Sequence, residues 1–228
     1  MVIRITWRWR VVFVMGLFVA MLGGGLVVQG EIQRARDDER FREAQVALKA
    51  GIEAFSTDNA PTDNPRRDPN VGNESPAAPV PDSAPSTTQD AAANVRAIGR
   101  LQIPAIDLDV AMVRYVRYAD LEIGLAWMPQ SAELGANGAS IIIGHRTLFG
   151  APLRNADEVK PGDQIFLSLP DGSTRTYEVR AMVIRKPTET FNDLLSHDAA
   201  SRIVIVTCHP EYSTKFRLVV VADVVATA

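Results

Sequence analysis

The chain has 228 residues, 46% of them hydrophobic, and a formal net charge of −3. That length holds one domain of ordinary size with further segments attached. Slight acidity, with no basic stripe interleaved with aromatics, speaks against a nucleic-acid partner, and the single cysteine, Cys208, excludes an intramolecular disulfide.

Taken in order, the chain opens with Arg4, Arg8 and Arg10, followed by the uncharged run Val11–Val28. A bilayer needs about 20 such residues. Positive charge before the run, with Glu31, Asp37 and Asp38 after it, predicts a single-pass anchor over residues 1–30, its N-terminus cytoplasmic and the remainder extracellular. A cleavable signal peptide is the competing reading. The run is longer than a usual signal core, however, and no A-x-A-like site follows it. Residues 31–55 are rich in helix formers, and Phe41, Ala44, Leu48, Ile52 and Phe55 recur at helical spacing. This predicts a juxtamembrane helix, read as a solvated stalk continuing from the span. Residues 56–94 are dominated by Pro, Ala, Asp, Asn, Ser and Thr. Such a segment cannot bury enough apolar surface to offset its ordering entropy, so it reads as a disordered tether.

Residues 95–228 form the globular part. Strands are predicted at Arg100–Ile103, Leu108–Val113, Glu122–Ala126, Ser140–Ile143, Gln164–Leu169, Arg175–Ile184, Arg202–Thr207 and Phe216–Val225. Pro161-Gly162-Asp163 and Asp171-Gly172-Ser173 read as turns, the second joining two strands in a tight hairpin. Short helical turns are expected at Gly150–Ala156 and Phe191–Ser196. Many short strands with little helix indicate an all-β domain, a closed barrel or a sandwich. No HExxH or CxxC pattern supports a zinc site, and no cofactor motif is present.

Two buried-type strands end in chemically capable residues. Ile203–Val206 leads into Thr207-Cys208, and Ile141–Ile143 leads into Gly144-His145-Arg146. A thiolate is a nucleophile, and an imidazole beside it can carry the proton to a leaving amine. Arg217 follows Cys208 by nine residues, the length of a strand end, a loop and an antiparallel return. Its guanidinium could then stand beside the thiol and stabilise an oxyanion. The plainer readings are a cysteine that merely packs, a satisfied histidine and an outward-facing arginine. His197 and His209 are rival partners; His209, adjacent in sequence, should point away from Cys208 on an extended chain.

The segment Val204-Ile205-Val206-Thr207-Cys208-His209-Pro210, with Phe216-Arg217 after it and Gly144-His145-Arg146-Thr147 upstream, resembles the sortase family of membrane-anchored cysteine transpeptidases. The family's T-L-x-T-C signature keeps its Thr-Cys here, while Val204-Ile205 replaces Thr-Leu. The stretch Gly144–Pro152, with Val159–Asp163, looks most like the class E branch. The resemblance implies an eight-stranded β-barrel with short helices, preceded by the transmembrane helix and the disordered linker. It implies Cys208, His145 and Arg217 as catalytic residues, with Thr207 at the substrate site. The implied substrates are surface proteins bearing LPxTG- or LAxTG-like signals, cleaved between Thr and Gly. The implied acceptor is an amine, from a cell-wall precursor peptide or a pilin lysine. The alternative is a membrane-tethered extracellular β-domain that binds a partner without catalysis.

Overall fold

The computed structural model describes residues 7–58, 95–189 and 200–225, with the side chains of 7–28 and 55–58 outside the description. One helix, α1, runs Trp7–Asp58. Eight strands follow among the described residues: β1 Ala97–Ile103, β2 Leu108–Arg114, β3 Leu125–Trp127, β4 Gly138–Ile143, β5 Gln164–Ser168, β6 Thr174–Arg185, β7 Ser201–His209 and β8 Phe216–Val224. They close into a barrel in the order β1-β2-β3-β4-β7-β8-β6-β5. Pairs β2/β3 and β4/β7 are parallel and the rest antiparallel.

The alternation of side chains along each strand sorts the core. Leu101, Ile103, Met112, Ile142, Ile165, Leu167, Tyr177, Ile203 and Ile205 fill the barrel interior. β7 is apolar on both faces, because its other face, Val204 and Val206, packs with Ala139, Ile141 and Val219 in a second cluster. That double burial is why the run reads as continuous rather than alternating. The turn at Lys160–Asp163 forms as its Pro-Gly pair demands, closed by Asp163 N–H to Lys160 C=O. The hairpin between β5 and β6 turns over Leu169–Gly172, and the Asp171 carboxylate accepts from the Ser173 amide and hydroxyl.

Three expectations are corrected. The strand expected from Glu122 begins only at Leu125, because the Asp120 carboxylate accepts the Val116 and Arg117 amides at 2.8 Å each. Those bonds wind Tyr118–Glu122 into a 3₁₀ turn. The helical turn expected at Gly150–Ala156 is a series of tight turns ahead of a 3₁₀ helix at Ala156–Glu158. The stripe on the helix at 31–55 does not face solvent: Phe41, Leu48 and Ile52 are buried against the barrel. The segment Phe191–Ser196, His197 and most of the linker at 56–94 lie outside the described residues. So do the side chains of Val11–Val28. No helix among the described residues is long and apolar enough to cross a membrane.

Gln45 explains why α1 docks where it does. β3 is three residues long and pairs only with Met112–Arg114 of β2. The Ala111 N–H and C=O, pointing away from β1, therefore have no strand to meet. The buried Gln45 amide takes both, accepting from the N–H at 2.7 Å and donating to the C=O at 3.3 Å, and also donates to Ile123 C=O at 2.7 Å. One turn further, Lys49 donates to Asp109 C=O at 2.8 Å. Asp109 is itself gripped bidentately by Arg100, whose guanidinium holds the carboxyl below its ordinary value.

Replacing Gln45 by Ala should strand these buried backbone groups. A loss of about 2 kcal/mol or more is expected, read as a lower urea midpoint at unchanged slope. A midpoint equal to wild type would mean that water satisfies Ala111 equally well.

Candidate active site

β7 and β8 are antiparallel, and their register sets Cys208 directly opposite Arg217. Directly opposite residues share a face, with Cβ atoms about 5 Å apart. Cys208 is free and half-buried, and shares its face with Val204 and Val206. The Arg217 guanidinium donates to the Thr214 and Phe216 carbonyls at 2.9 and 3.0 Å, which anchors it at the mouth of the β7–β8 loop.

β4 and β7 are parallel with a fixed offset, from Gly138 opposite Ser201 to Ile143 opposite Val206. The offset persists past the end of β4. The Thr207 hydroxyl donates to Gly144 C=O at 2.9 Å, and Arg146 bonds His209 at 2.9 Å. His145 and Cys208 are the pair between these two contacts, so the same offset aligns them at the ends of adjacent strands. Gly144 has no room for a side chain, since a Cβ would stand 2.4 Å from Leu125. β4 can thus approach β3 closely at the position before His145.

The imidazole of His145 lies between two rings. Tyr118 meets it edge-on at 5.7 Å between centroids and Phe149 is tilted at 5.1 Å. Its Nε2 is buried without a hydrogen-bond partner among the described residues. Burial lowers the pKa of His145, with no charged neighbour contributing, so the neutral ring is favoured. Phe149 is held by an unusual turn. Phe149, Gly150 and Ala151 take φ of 50°, 72° and 45°, closed by Ala151 N–H to Leu148 C=O. A non-glycine residue in this region costs about 1–2 kcal/mol, so the turn needs support from outside itself.

Thr207 lies on the opposite face from Cys208, since neighbours on a strand alternate. Its hydroxyl ties the end of β4 to β7. Sequence reasoning missed Arg146, 3% exposed. It makes an ion pair with Asp157 at 2.7 Å, donates to Arg154 C=O at 3.2 Å and contacts His209 Nδ1. Arg has only donors, so His209 Nδ1 is the acceptor of this bond. The one available signal was its place beside His145 at the end of a buried strand. Among the described residues no group of three or more His, Cys, Asp or Glu side chains is arranged to hold a metal ion.

Comparison with known proteins agrees with this architecture. The family model described as a sortase domain matches residues 101–225, more than half of the chain. The chain is 28% identical over 196 residues to Sortase D of Bacillus subtilis, covering 86% of this chain and 84% of that protein. A lid mutant of Sortase A from Corynebacterium diphtheriae superposes with a TM-score of 0.55 at 23% identity, over 82% of this chain and 96% of that one. Sortase C from Streptococcus pneumoniae gives 0.54 at 22% identity, over 85% and 90%. At these identities the two superpositions speak for the fold alone.

The buried, neutral His145 ties stability to pH. Its folded pKa is depressed, so the unfolded chain binds the proton more readily. The contribution is complete above the unfolded value of about 6.5 and is lost as pH falls toward the folded value. Melting temperature should therefore drop on acidification from about pH 8 to about pH 5, and the drop should be smaller in His145→Phe. Identical pH slopes in the two proteins would contradict the burial argument.

Proposed function

The chain belongs to the sortase family of cysteine transpeptidases, and we propose that Cys208 is its nucleophile, His145 its proton carrier and Arg217 the residue that holds the scissile carbonyl. The observation that supports this reading is the register: Cys208 stands opposite Arg217, and the β4–β7 offset, continued by the Thr207–Gly144 and Arg146–His209 contacts, aligns His145 with Cys208. The Cys208 thiol passes its proton to His145 and attacks the threonine carbonyl of a sorting signal of the LPxTG or LAxTG kind. Arg217 stabilises the negative oxygen that forms. The imidazolium then gives its proton to the leaving glycine amine as the C–N bond breaks, and a thioester remains on Cys208. An incoming amine is deprotonated by neutral His145, attacks the thioester and restores the thiol.

The lowered pKa of His145 fits both halves of this cycle. At neutral pH the ring is an uncharged base, ready for the acceptor amine. Once charged in its apolar slot, it is a stronger acid than a free imidazolium, suited to a poor leaving group. Thr207 contributes by alignment, holding the end of β4 so that His145 stays level with the thiol. The substrates proposed are surface proteins with C-terminal sorting signals, and the acceptor an amine of a cell-wall precursor peptide or a pilin lysine. Residues 11–28 are read as the membrane anchor and 56–94 as a tether, with the barrel on the extracellular side. The support is compositional: an uncharged run behind three arginines, then a Pro-, Ala- and Asp-rich stretch. The class E likeness rests on Gly144–Pro152 and Val159–Asp163.

Mass spectrometry of the enzyme with LPxTG and LAxTG peptides tests the assignment. Wild type should carry an acyl adduct on Cys208 and release the peptide's tail, and Cys208→Ala should do neither. His145→Ala should lower kcat/KM by about 10²–10⁴-fold. Arg217→Ala should lower it by about 10²–10³-fold, with Arg217→Lys a poor substitute at a site that uses the planar fork. Peptide cleavage persisting in Cys208→Ala would end the nucleophile assignment.

A further inference from the structure

The two rings that flank His145 sit on separate loops, and one helix touches both. Asp38, Phe41 and Gln45 recur at helical spacing on one side of α1. The Asp38 carboxylate accepts the Gly150 N–H at 2.9 Å. The Phe41 ring lies so close over Gly150 that a Cβ there would stand 2.3 Å from it. These contacts seize the middle of the left-handed turn that presents Phe149 to His145. One turn along, Gln45 donates to Ile123 C=O at 2.7 Å, the residue just after the 3₁₀ turn Tyr118–Glu122 that presents Tyr118. The same closeness shows at Glu122, whose carboxyl is raised first by burial and then by Asp37 of α1, with Arg40 partly offsetting.

We propose that α1 is a brace for His145, with Asp38, Phe41 and Gln45 as positioning residues that hold Phe149 and Tyr118 against the imidazole. The helix does not touch the reacting atoms. It fixes the walls of the slot, and the walls fix the angle and dryness of the ring. A loop with three successive residues at positive φ would relax without an external partner, and relaxation would admit water to Nε2. The titratable and charged groups of the elements packed here are Arg117, Tyr118, Asp120 and Glu122 at one turn, Arg146, Arg154 and Asp157 on the other loop, Cys208 on β7, His209 after it, Arg217 on β8, and Asp37, Asp38 and Arg40 on α1. None of them sets the state of His145, whose cause is burial alone.

The proposal builds on the reading of His145 as proton carrier, so the test measures the ring itself and needs no substrate. In the full chain, the His145 titration is followed by NMR and assigned by its loss in His145→Phe. Wild type should titrate below the ordinary value of about 6.5. Phe41→Ala and Asp38→Ala should move it upward toward that value, while Asp38→Asn, which keeps an acceptor oxygen, should remain near wild type. Lys49→Ala, which frees a different part of α1 from Asp109, should lower the melting temperature and leave the titration unmoved. If Phe41→Ala does not fold, Asp38→Ala, at a half-buried position, keeps the question open to measurement. An unchanged His145 titration in the folded variants overturns the brace. Cleavage of the sorting peptide should fall about tenfold in kcat, with KM little altered. A shifted titration with undiminished kcat would uphold the brace and remove His145 from the reaction.

Discussion

The parallel pairing of β4 with β7 keeps one offset from Gly138 and Ser201 at one end to Arg146 and His209 at the other. Side chains on a strand alternate, so a slip of a single residue would turn Cys208 into the barrel and bring Thr207 out in its place. Three things pin the offset. The apolar run Ile203–Val206 is buried on both faces, the Thr207 hydroxyl is bound to Gly144, and the buried Arg146 guanidinium grips His209. Two of these clamps lie immediately before and after the level of His145 and Cys208. The pair is therefore flanked on both sides by contacts that neither of its own side chains makes.

Charge is distributed around the site with the same economy. Arg146 is buried but pairs with Asp157, and Arg217 is held by two backbone carbonyls. Among the described residues no carboxylate meets the imidazole, and two aromatic rings flank it. A carboxylate would stabilise the imidazolium and make it a weak donor. Rings add no charge, and burial between them favours the neutral imidazole.

Much of this was legible in the chain. Cys208, His145 and Arg217 stood out because each adjoins a long apolar run, and an apolar run fixes a strand end well. The eight strands followed from alternating or unbroken apolar runs, and the one poorly placed, β3, is short and preceded by a turn that Asp120 imposes through backbone bonds invisible to periodicity. The stripe on α1 was visible, but not what it faces: Phe41 meets Gly150 and Gln45 meets Ala111, contacts more than 60 residues apart in sequence. Arg146 read as one more basic residue, since its partner Asp157 sits in an irregular loop. Thr207 stood out beside Cys208, but the bond of its hydroxyl to Gly144, 63 residues away, could not be read from the sequence.

The Gln45 amide has a consequence beyond the site. Where β3 stops short, β2 would offer an open backbone edge at Ala111, and an open edge is a template on which another extended chain can add. Gln45 fills that place with a side chain, mimicking the amide of the missing strand while ending the ladder there. The helix thus covers with a side chain an edge that would otherwise be left as open backbone.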